Sequence, residues 1–259
     1  MRHVYAVPAY GRSPHLEACL ESLRGQRAAS VVVSTSTPFD GLESIARSHG
    51  ARVVVHGPNR GIGTDWNAAY EAADAELVTI AHQDDIYAPA HSAAVQEAFA
   101  TAPDALLAFT DYREFDDGGV RPRNRTLWVK ELQRELAFLG SRVARTVARK
   151  RMLLRFGNPV ACPAVTFNRA RLEGFRFRTD MRTNMDWAAW LELSARDGAF
   201  LYVRQPLVLH RIHAGSETTA CIVDGARARE DEDMFRQLWP GSIARVLARL
   251  YAASYTTNG

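Results

Sequence analysis

Lysine is nearly missing from this chain. Lys130 and Lys150 are the only two, and the other basic residues among the 32 are arginine. Such a bias can reflect genome base composition, and it also supplies planar forks that suit phosphate and carboxylate. Cysteine is scarce: Cys19, Cys162 and Cys221 are odd in number and widely separated, which excludes a disulfide framework and a zinc cluster. Long apolar runs are missing too. None approaches the roughly 20 residues a bilayer-spanning helix needs. The first residues, Met1 to Val7, are too short for a signal peptide and lead straight into a strand pattern, so a cytoplasmic location is expected. No internal repeat and no low-complexity tract interrupts the chain. Net charge is only +3, which argues against a nucleic-acid binder.

What remains is an ordinary globular composition, 47% hydrophobic and 24% charged over 259 residues. That length suffices for one large domain, or one domain with an appendage. Periodicity organises the first half clearly. His3 to Val7 reads as a strand, and Ser13-Pro14 starts a helix carrying Leu16, Cys19, Leu20 and Leu23. Ser30 to Ser34 is a second strand, and Asp40 to Ala46 a short helix with Asp40 and Glu43 as a capping box. Arg52 to His56 is a third strand; Asn59 to Gly63 turns into a helix with Trp66, Ala69, Tyr70 and Ala73. Glu76 to Ala81 is the fourth strand. Alternation of strand and helix predicts a parallel sheet covered on both faces.

The second half is less regular. Ala105 to Thr110 is a strand, Asp116 to Gly119 a hairpin turn, and Leu127 to Leu139 has helical spacing. Ser141 to Phe156 reads as a further helix studded with Arg142, Arg145, Arg149, Lys150, Arg151 and Arg155. That cluster is either a solvated face, a basic surface for anionic membrane, or a site for a phosphate-bearing acceptor. Val160 to Phe167 is strand-like, Asn184 to Arg196 a strong helix, and Phe200 to Val203 and Pro206 to Ile212 two short strands. Helical stretches follow from Asp224 on, broken at Pro240.

The stretch Ala81-His82-Gln83-Asp84-Asp85-Ile86-Tyr87-Ala88-Pro89 carries the chemistry. It follows the fourth strand and precedes a helix that Pro89 can start. Ligands of open α/β sheets bind beyond the carboxyl ends of the strands. Adjacent carboxylates there suit a hard divalent cation that also holds a phosphate; the alternative is that Asp84 and Asp85 only cap the helix.

Five segments taken in order resemble family 2 glycosyltransferases of the GT-A fold. They are Val7-Pro8-Ala9-Tyr10-Gly11, Asn59 to Gly63 with Asn67 and Ala68, His82 to Pro89, Met185-Asp186-Trp187 with Trp190 and Leu191, and Arg211-Ile212-His213 with Gly215 and Ser216. The resemblance implies a Rossmann-like mixed sheet with helices on both faces in residues 1–216, and C-terminal helices in 217–259. Residues 1–110 would form the nucleotide-sugar half and 111–216 the acceptor half. Two positions depart from the family pattern. His82 stands where the first aspartate of the family's DxD motif is usual, and Ser34 to Thr37 stand where an aspartate usually contacts the nucleobase.

The same resemblance implies an inverting transfer of a sugar from a nucleotide diphosphate donor to an acceptor hydroxyl, in bacterial glycan or glycolipid assembly. Mn²⁺ or Mg²⁺ would sit on Asp84, Asp85 and His213, and Asp186 would be the catalytic base. The donor pocket would combine Pro8, Ala9, Tyr10, Ser34, Ser36, Asn59, Gly63, Asn67 and Gln83. Asp186 falls in the first turn of its helix, where the helix N-terminus favours the ionised form. Trp187 is a candidate to flank an acceptor sugar and Trp190 a core residue. The expected partners are the donor, a glycan or lipid-linked acceptor, a membrane face and a second copy. Two rivals stand beside this reading. A sugar-phosphate nucleotidyltransferase would want a glycine-rich, lysine-bearing first loop, which is missing. A degenerate binding protein of the same fold fits the loss of acids at positions 34, 36 and 82.

Overall fold

The computed structural model describes residues 1–213, 215–253 and 255. The expected C-terminal segment therefore reaches outside the described residues at 254 and 256–259. Strands β1 (His3–Ala9), β2 (Ala29–Thr35), β3 (Ala51–Val55) and β4 (Leu77–Ile80) alternate with helices α1 (Leu16–Leu23), α2 (Leu42–Ser48) and α3 (Ile62–Ala72). They pair in parallel in the order β3-β2-β1-β4. Strand β1 shows why both faces are covered. Val4 and Ala6 enter one apolar cluster with Trp66, Ala69 and Tyr70 of α3, while Tyr5, Val7 and Ala9 enter another with Leu16, Cys19 and Leu20 of α1. Side chains alternate across a strand, so a continuous apolar run needs a layer on each side.

The chain continues through β5 (Ile86–Tyr87), α4 (His91–Thr101), β6 (Ala105–Asp116), β7 (Gly119–Val120), α5 (Arg125–Phe138), β8 (Val143–Ala144), α6 (Val147–Leu154), β9 (Val165–Asn168), α7 (Met185–Ala195) and β10 (Ala199–Arg211). Beyond β4 the sheet order is β9-β6-β10-β5. β9 runs antiparallel to both β4 and β6, β10 runs parallel to β6, and β5 antiparallel to β10. The sheet is mixed, as expected. Helices α8 (Glu217–Val223), α9 (Ala226–Arg236) and α10 (Gly241–Ala252) end the chain. Phe235 and Tyr251 pack on Trp187 of α7 at ring distances of 5.0 and 5.8 Å.

Three local expectations are corrected. Ser141 to Phe156 is not one helix: Leu139 and Gly140, both left-handed at φ 49° and 75°, end α5, β8 pairs with β10, and Thr146 then caps α6 through Arg149 N. Phe200 to Val203 and Pro206 to Ile212 are a single strand, with the register slipping around Pro206, which has no N–H to give the ladder. Neither Ser13 nor Asp40 caps a helix; α1 and α2 begin after His15 and Gly41 without a side-chain cap.

Candidate functional site

The parallel strands end on a common edge, and the acids collect there. β4 runs out at Ile80, and the backbone turns so that Asp84 and Asp85 face the end of β10. Asp84 Oδ2 lies 2.9 Å from His213 Nε2, across 129 residues of chain, and its carbonyl accepts from Arg211 Nε at 3.0 Å. Asp85 is fully buried; its carboxylate accepts the Arg211 amide at 2.8 Å and lies 3.0 Å from His210 Nδ1. His82, Asp84 and Asp85 each offer a ligand atom within 4.8 Å of the others, and buried His82 Nε2 has no hydrogen-bond partner among the described residues. Two carboxylates with imidazoles beside them form a donor set that fits Mn²⁺ or Mg²⁺.

Charge balance at this cluster follows from burial. Loss of water disfavours the carboxylate of Asp84, but His82, His213 and His210 outweigh that and hold its pKa below the usual value. Burial likewise disfavours a charged His210, yet the Asp85 carboxylate lifts it to about 9. His82 is pushed the other way, because burial dominates there. Neither acid caps the following helix: α4 begins after Ala90 with no side-chain cap.

A second group of residues lines the ends of β1, β2 and β3. Tyr10 is exposed, and its amide donates to Gln83 Oε1 at 3.1 Å, tying the β1 loop to the acid loop. Gly11 N donates to Thr37 Oγ1 at 2.7 Å, tying it to the β2 loop. Pro8 sits opposite Ser34, and Ala9 opposite Thr35, in the β1–β2 register. Ser34 is buried, and its hydroxyl has no hydrogen-bond partner among the described residues. Ser36 donates to Asp65 Oδ2 at 3.1 Å, and His56 Nε2 lies 3.8 Å from Asp65 Oδ1. Asn59 is exposed and accepts from Gly61 N at 2.8 Å, shaping the turn in which Gly61 has φ 99°. Gly63 is required for a different reason: a Cβ there would stand 2.4 Å from the Arg178 carbonyl oxygen. Asn67 completes the same contact, donating to Phe177 O at 2.9 Å and accepting from Phe177 N at 2.7 Å. Gly63 and Asn67 thus hold the 175–181 segment against α3.

Asp186 lies in the first turn of α7. Asn158 Nδ2 donates to its Oδ2 at 2.8 Å, and the charges of Arg227 and Lys130 act on it. Burial is the larger effect and raises its pKa to about 6, opposite in direction to the helix-terminus argument but still leaving it ionised at neutral pH. Both Asp186 and Asp85 act on the buried Cys162 thiol, so one point in the fold lies within electrostatic reach of the acid loop and of the start of α7. Lys130 donates to the Tyr112 hydroxyl at 3.0 Å on this side of the sheet.

Several expected participants are elsewhere. Trp187 is wholly buried against Phe235 and Tyr251 and flanks no acceptor, because one residue beyond Asp186 is a rotation of about 100° around α7, which turns it into the core that α9 and α10 close. Asp180 is exposed and bound by Arg178. The arginine cluster disperses: Lys150 is buried and donates to the carbonyls of Arg196 and Gly198, Arg145 pairs with Asp104, and Arg155 lies 4.0 Å from the centroid of Trp239. Asp65, His56, His210, Asn158 and Lys130 join the site without a sequence signal of their own. His210 was the most findable, since it directly precedes Arg211 in the strand that delivers His213.

Comparison with known proteins agrees with this layout. No curated protein sequence matches the chain. Among solved structures it is similar to residues 1–349 of S. aureus TarS in complex with UDP-GlcNAc, at 14% identity, a TM-score of 0.64, and 92% of this chain over 71% of that one. It is similar to the mannosyltransferase PcManGT of Pyrobaculum calidifontis in complex with GDP-Man and Mn²⁺, at 18% identity, a TM-score of 0.62, and 100% of this chain over 76% of that one. It is also similar to glucosyl-3-phosphoglycerate synthase of Mycobacterium tuberculosis, at 18% identity, a TM-score of 0.57, and 95% over 79%. At such identities the likeness is one of fold, the GT-A fold that the motifs predict. The sequence model of Glycosyl transferase family 2 matches residues 5–161, more than half of the length, and the chain accordingly belongs to that family of glycosyltransferases.

Proposed function

We propose that the chain transfers a sugar, with inversion, from a nucleoside diphosphate donor to an acceptor hydroxyl in bacterial glycan or glycolipid assembly. The observation that carries this reading is the acid loop: His82, Asp84 and Asp85 gather their donor atoms within 4.8 Å at the carboxyl end of a parallel strand, with His213 on Asp84. Mn²⁺ or Mg²⁺ held by Asp84, with Asp85 and His213 around it, would neutralise the negative charge that collects on the leaving diphosphate. PcManGT and the mycobacterial synthase, both crystallised with Mn²⁺ and a nucleotide sugar, support a divalent cation and such a donor.

The remaining work falls to side chains. Tyr10 is exposed beside Gln83 and suits stacking on the base, with Pro8 and Ala9 flooring the same end of β1. Ser36 would meet the base edge, with Ser34 buried behind it at the end of β2. Because Ser36 gives its proton to Asp65, it offers a ligand only lone pairs, an acceptor without a full charge. Asn59, with Gly63 and Asn67 behind it, shapes the ribose and sugar end. Asp186 takes the proton of the acceptor hydroxyl as the acceptor oxygen bonds to the anomeric carbon and the bond to the diphosphate breaks. A pKa of about 6 suits a general base working near neutrality. Residues 1–110 would form the donor half and 111–216 the acceptor half, with α8, α9 and α10 of the C-terminal segment closing it. The three free cysteines fit a reducing cytoplasm.

Thermal shift with UDP, GDP, ADP and CDP, with and without Mn²⁺, tests the reading, followed by donor hydrolysis. Metal-dependent stabilisation by at least one nucleotide is expected. No response to any of them would favour a degenerate binding protein instead.

A further inference from the structure

Helix α5 has two faces of different character. Leu127, Gln133, Arg134, Ala137 and Phe138 are buried against the fold. On the other side Trp128, Val129, Leu132, Leu136 and the cap residue Leu139 are each more than half exposed. The spacing 128, 132, 136, 139 makes one continuous stripe along the helix. Apolar surface of this extent on one element marks an interaction site.

The charge around it says what covers it. Residues 121–156 hold eleven arginines and lysines; Arg134 and Lys150 are buried and Arg121 and Arg145 pair with Asp116 and Asp104, while the segment's own acids are only Glu131 and Glu135. Both acids are already paired, Glu131 with Arg123 and Glu135 with Arg204 at 2.7 Å. Arg125, Arg149 and Arg151 form no ion pair among the described residues. Two copies of so basic a face would repel each other, which disfavours a homodimer through α5. A nucleic acid would meet leucines and valine, which offer no stacking surface, and the indole of Trp128 already has Arg123 over it at 4.8 Å. Exposed leucines, a tryptophan with an arginine over its ring, and further arginines without an acid are what an anionic lipid surface accommodates.

We propose that the outward face of α5 docks this protein on a membrane surface rich in anionic lipid. No helix among the described residues is long and apolar enough to cross a membrane, so the attachment is peripheral. The inner side of the same helix carries Lys130, whose charge acts on Asp186. One helix thus joins the lipid surface to the acceptor side of the cleft. The docking itself does not depend on the proposed transfer reaction.

The test is co-sedimentation of the full chain with vesicles of phosphatidylcholine alone and of phosphatidylcholine with phosphatidylglycerol, at low and high salt. The comparison variant is L132E/L136E. Both side chains are exposed, so the variant should keep its circular dichroism spectrum and melting temperature. Expected is binding to the phosphatidylglycerol vesicles only, weakened several-fold by salt and at least ten-fold by L132E/L136E. No pelleting with either vesicle would overturn the proposal, as would pelleting that the double variant leaves unchanged. A dimer by light scattering that L132E/L136E converts to monomer would reassign the stripe to a second copy, again overturning it.

Discussion

Ser36 and Asp65 lie 29 residues apart, on the β2 loop and on α3, and share a hydrogen bond of 3.1 Å in which the serine is the donor. The hydroxyl has one proton, and it points inward. A nucleobase arriving at Ser36 therefore meets an acceptor, as it would have met the aspartate usual in the family. Every base can meet it with a donor, uracil and guanine through the imino N–H and cytosine and adenine through the exocyclic amino group. Asp65→Ala frees the serine proton to turn outward, and the diphosphate that binds the parent best should then lose affinity by about three- to ten-fold, the worth of one hydrogen bond. Competition binding with UDP, GDP, CDP and ADP on the parent and on Asp65→Ala reads this directly. An affinity for that diphosphate left unchanged in Asp65→Ala would rule the arrangement out.

Removal of Asp84, the acid proposed to hold the metal, should separate binding from folding. In Asp84→Asn the hydrogen bond with His213 can persist, but the charge is gone. The expected result is a folded protein whose nucleotide-induced thermal shift no longer responds to Mn²⁺. Donor hydrolysis should fall by about 10²-fold or more, as metal-assisted charge stabilisation is worth several kcal/mol. EDTA should produce the same loss in the unaltered protein. Isothermal titration with Mn²⁺ plus UDP checks both.

Asp186 carries a linked pair of expectations. A general base acts only when ionised, so with a pKa of about 6 the rate should rise with pH and reach half its plateau near 6. Asp186→Asn removes the base while Asn158 keeps an oxygen to bond, and turnover should drop by about 10²- to 10⁴-fold with nucleotide affinity retained. Stability moves the other way. Burial raises the folded-state pKa above the unfolded value, so Asp186 favours the fold only at low pH, and its contribution is lost as pH climbs from about 4 to about 6. Melting of Asp186→Asn at pH 7.5 should accordingly be no lower than that of the parent. A variant with near-native turnover would remove Asp186 from the reaction.

Gly63→Ala tests the packing that orders the 175–181 segment. Its Cβ would stand 2.4 Å from a backbone carbonyl, which cannot swing aside like a flexible side chain. A loss of about 1–3 kcal/mol is expected from overpacking of this kind. Urea denaturation of Gly63→Ala measures it, and an unchanged midpoint would mean that the segment yields freely.

The sequence by itself determined the parallel half of the sheet. Apolar runs at Val4–Val7, Val31–Val33 and Leu77–Ile80, separated by amphipathic helices, leave a parallel sheet as the only arrangement that covers both faces, and this places residues 8, 34, 59 and 84 on one edge. Tertiary structure decided everything that depends on partners distant in the chain. Whether Ser36 faced a ligand as donor or acceptor depended on an acid from another helix. Whether Trp187 met a sugar or the core depended on α9 and α10, which periodicity in α7 cannot foresee. Lys150 read as part of a basic surface until the carbonyls ending α7 claimed it. Even the direction of the Asp186 pKa shift was set by burial rather than by its place in a helix. Local pattern encodes which face of an element is apolar; what lies against that face, and so the dielectric and the hydrogen bonds a group experiences, comes only with the packed fold.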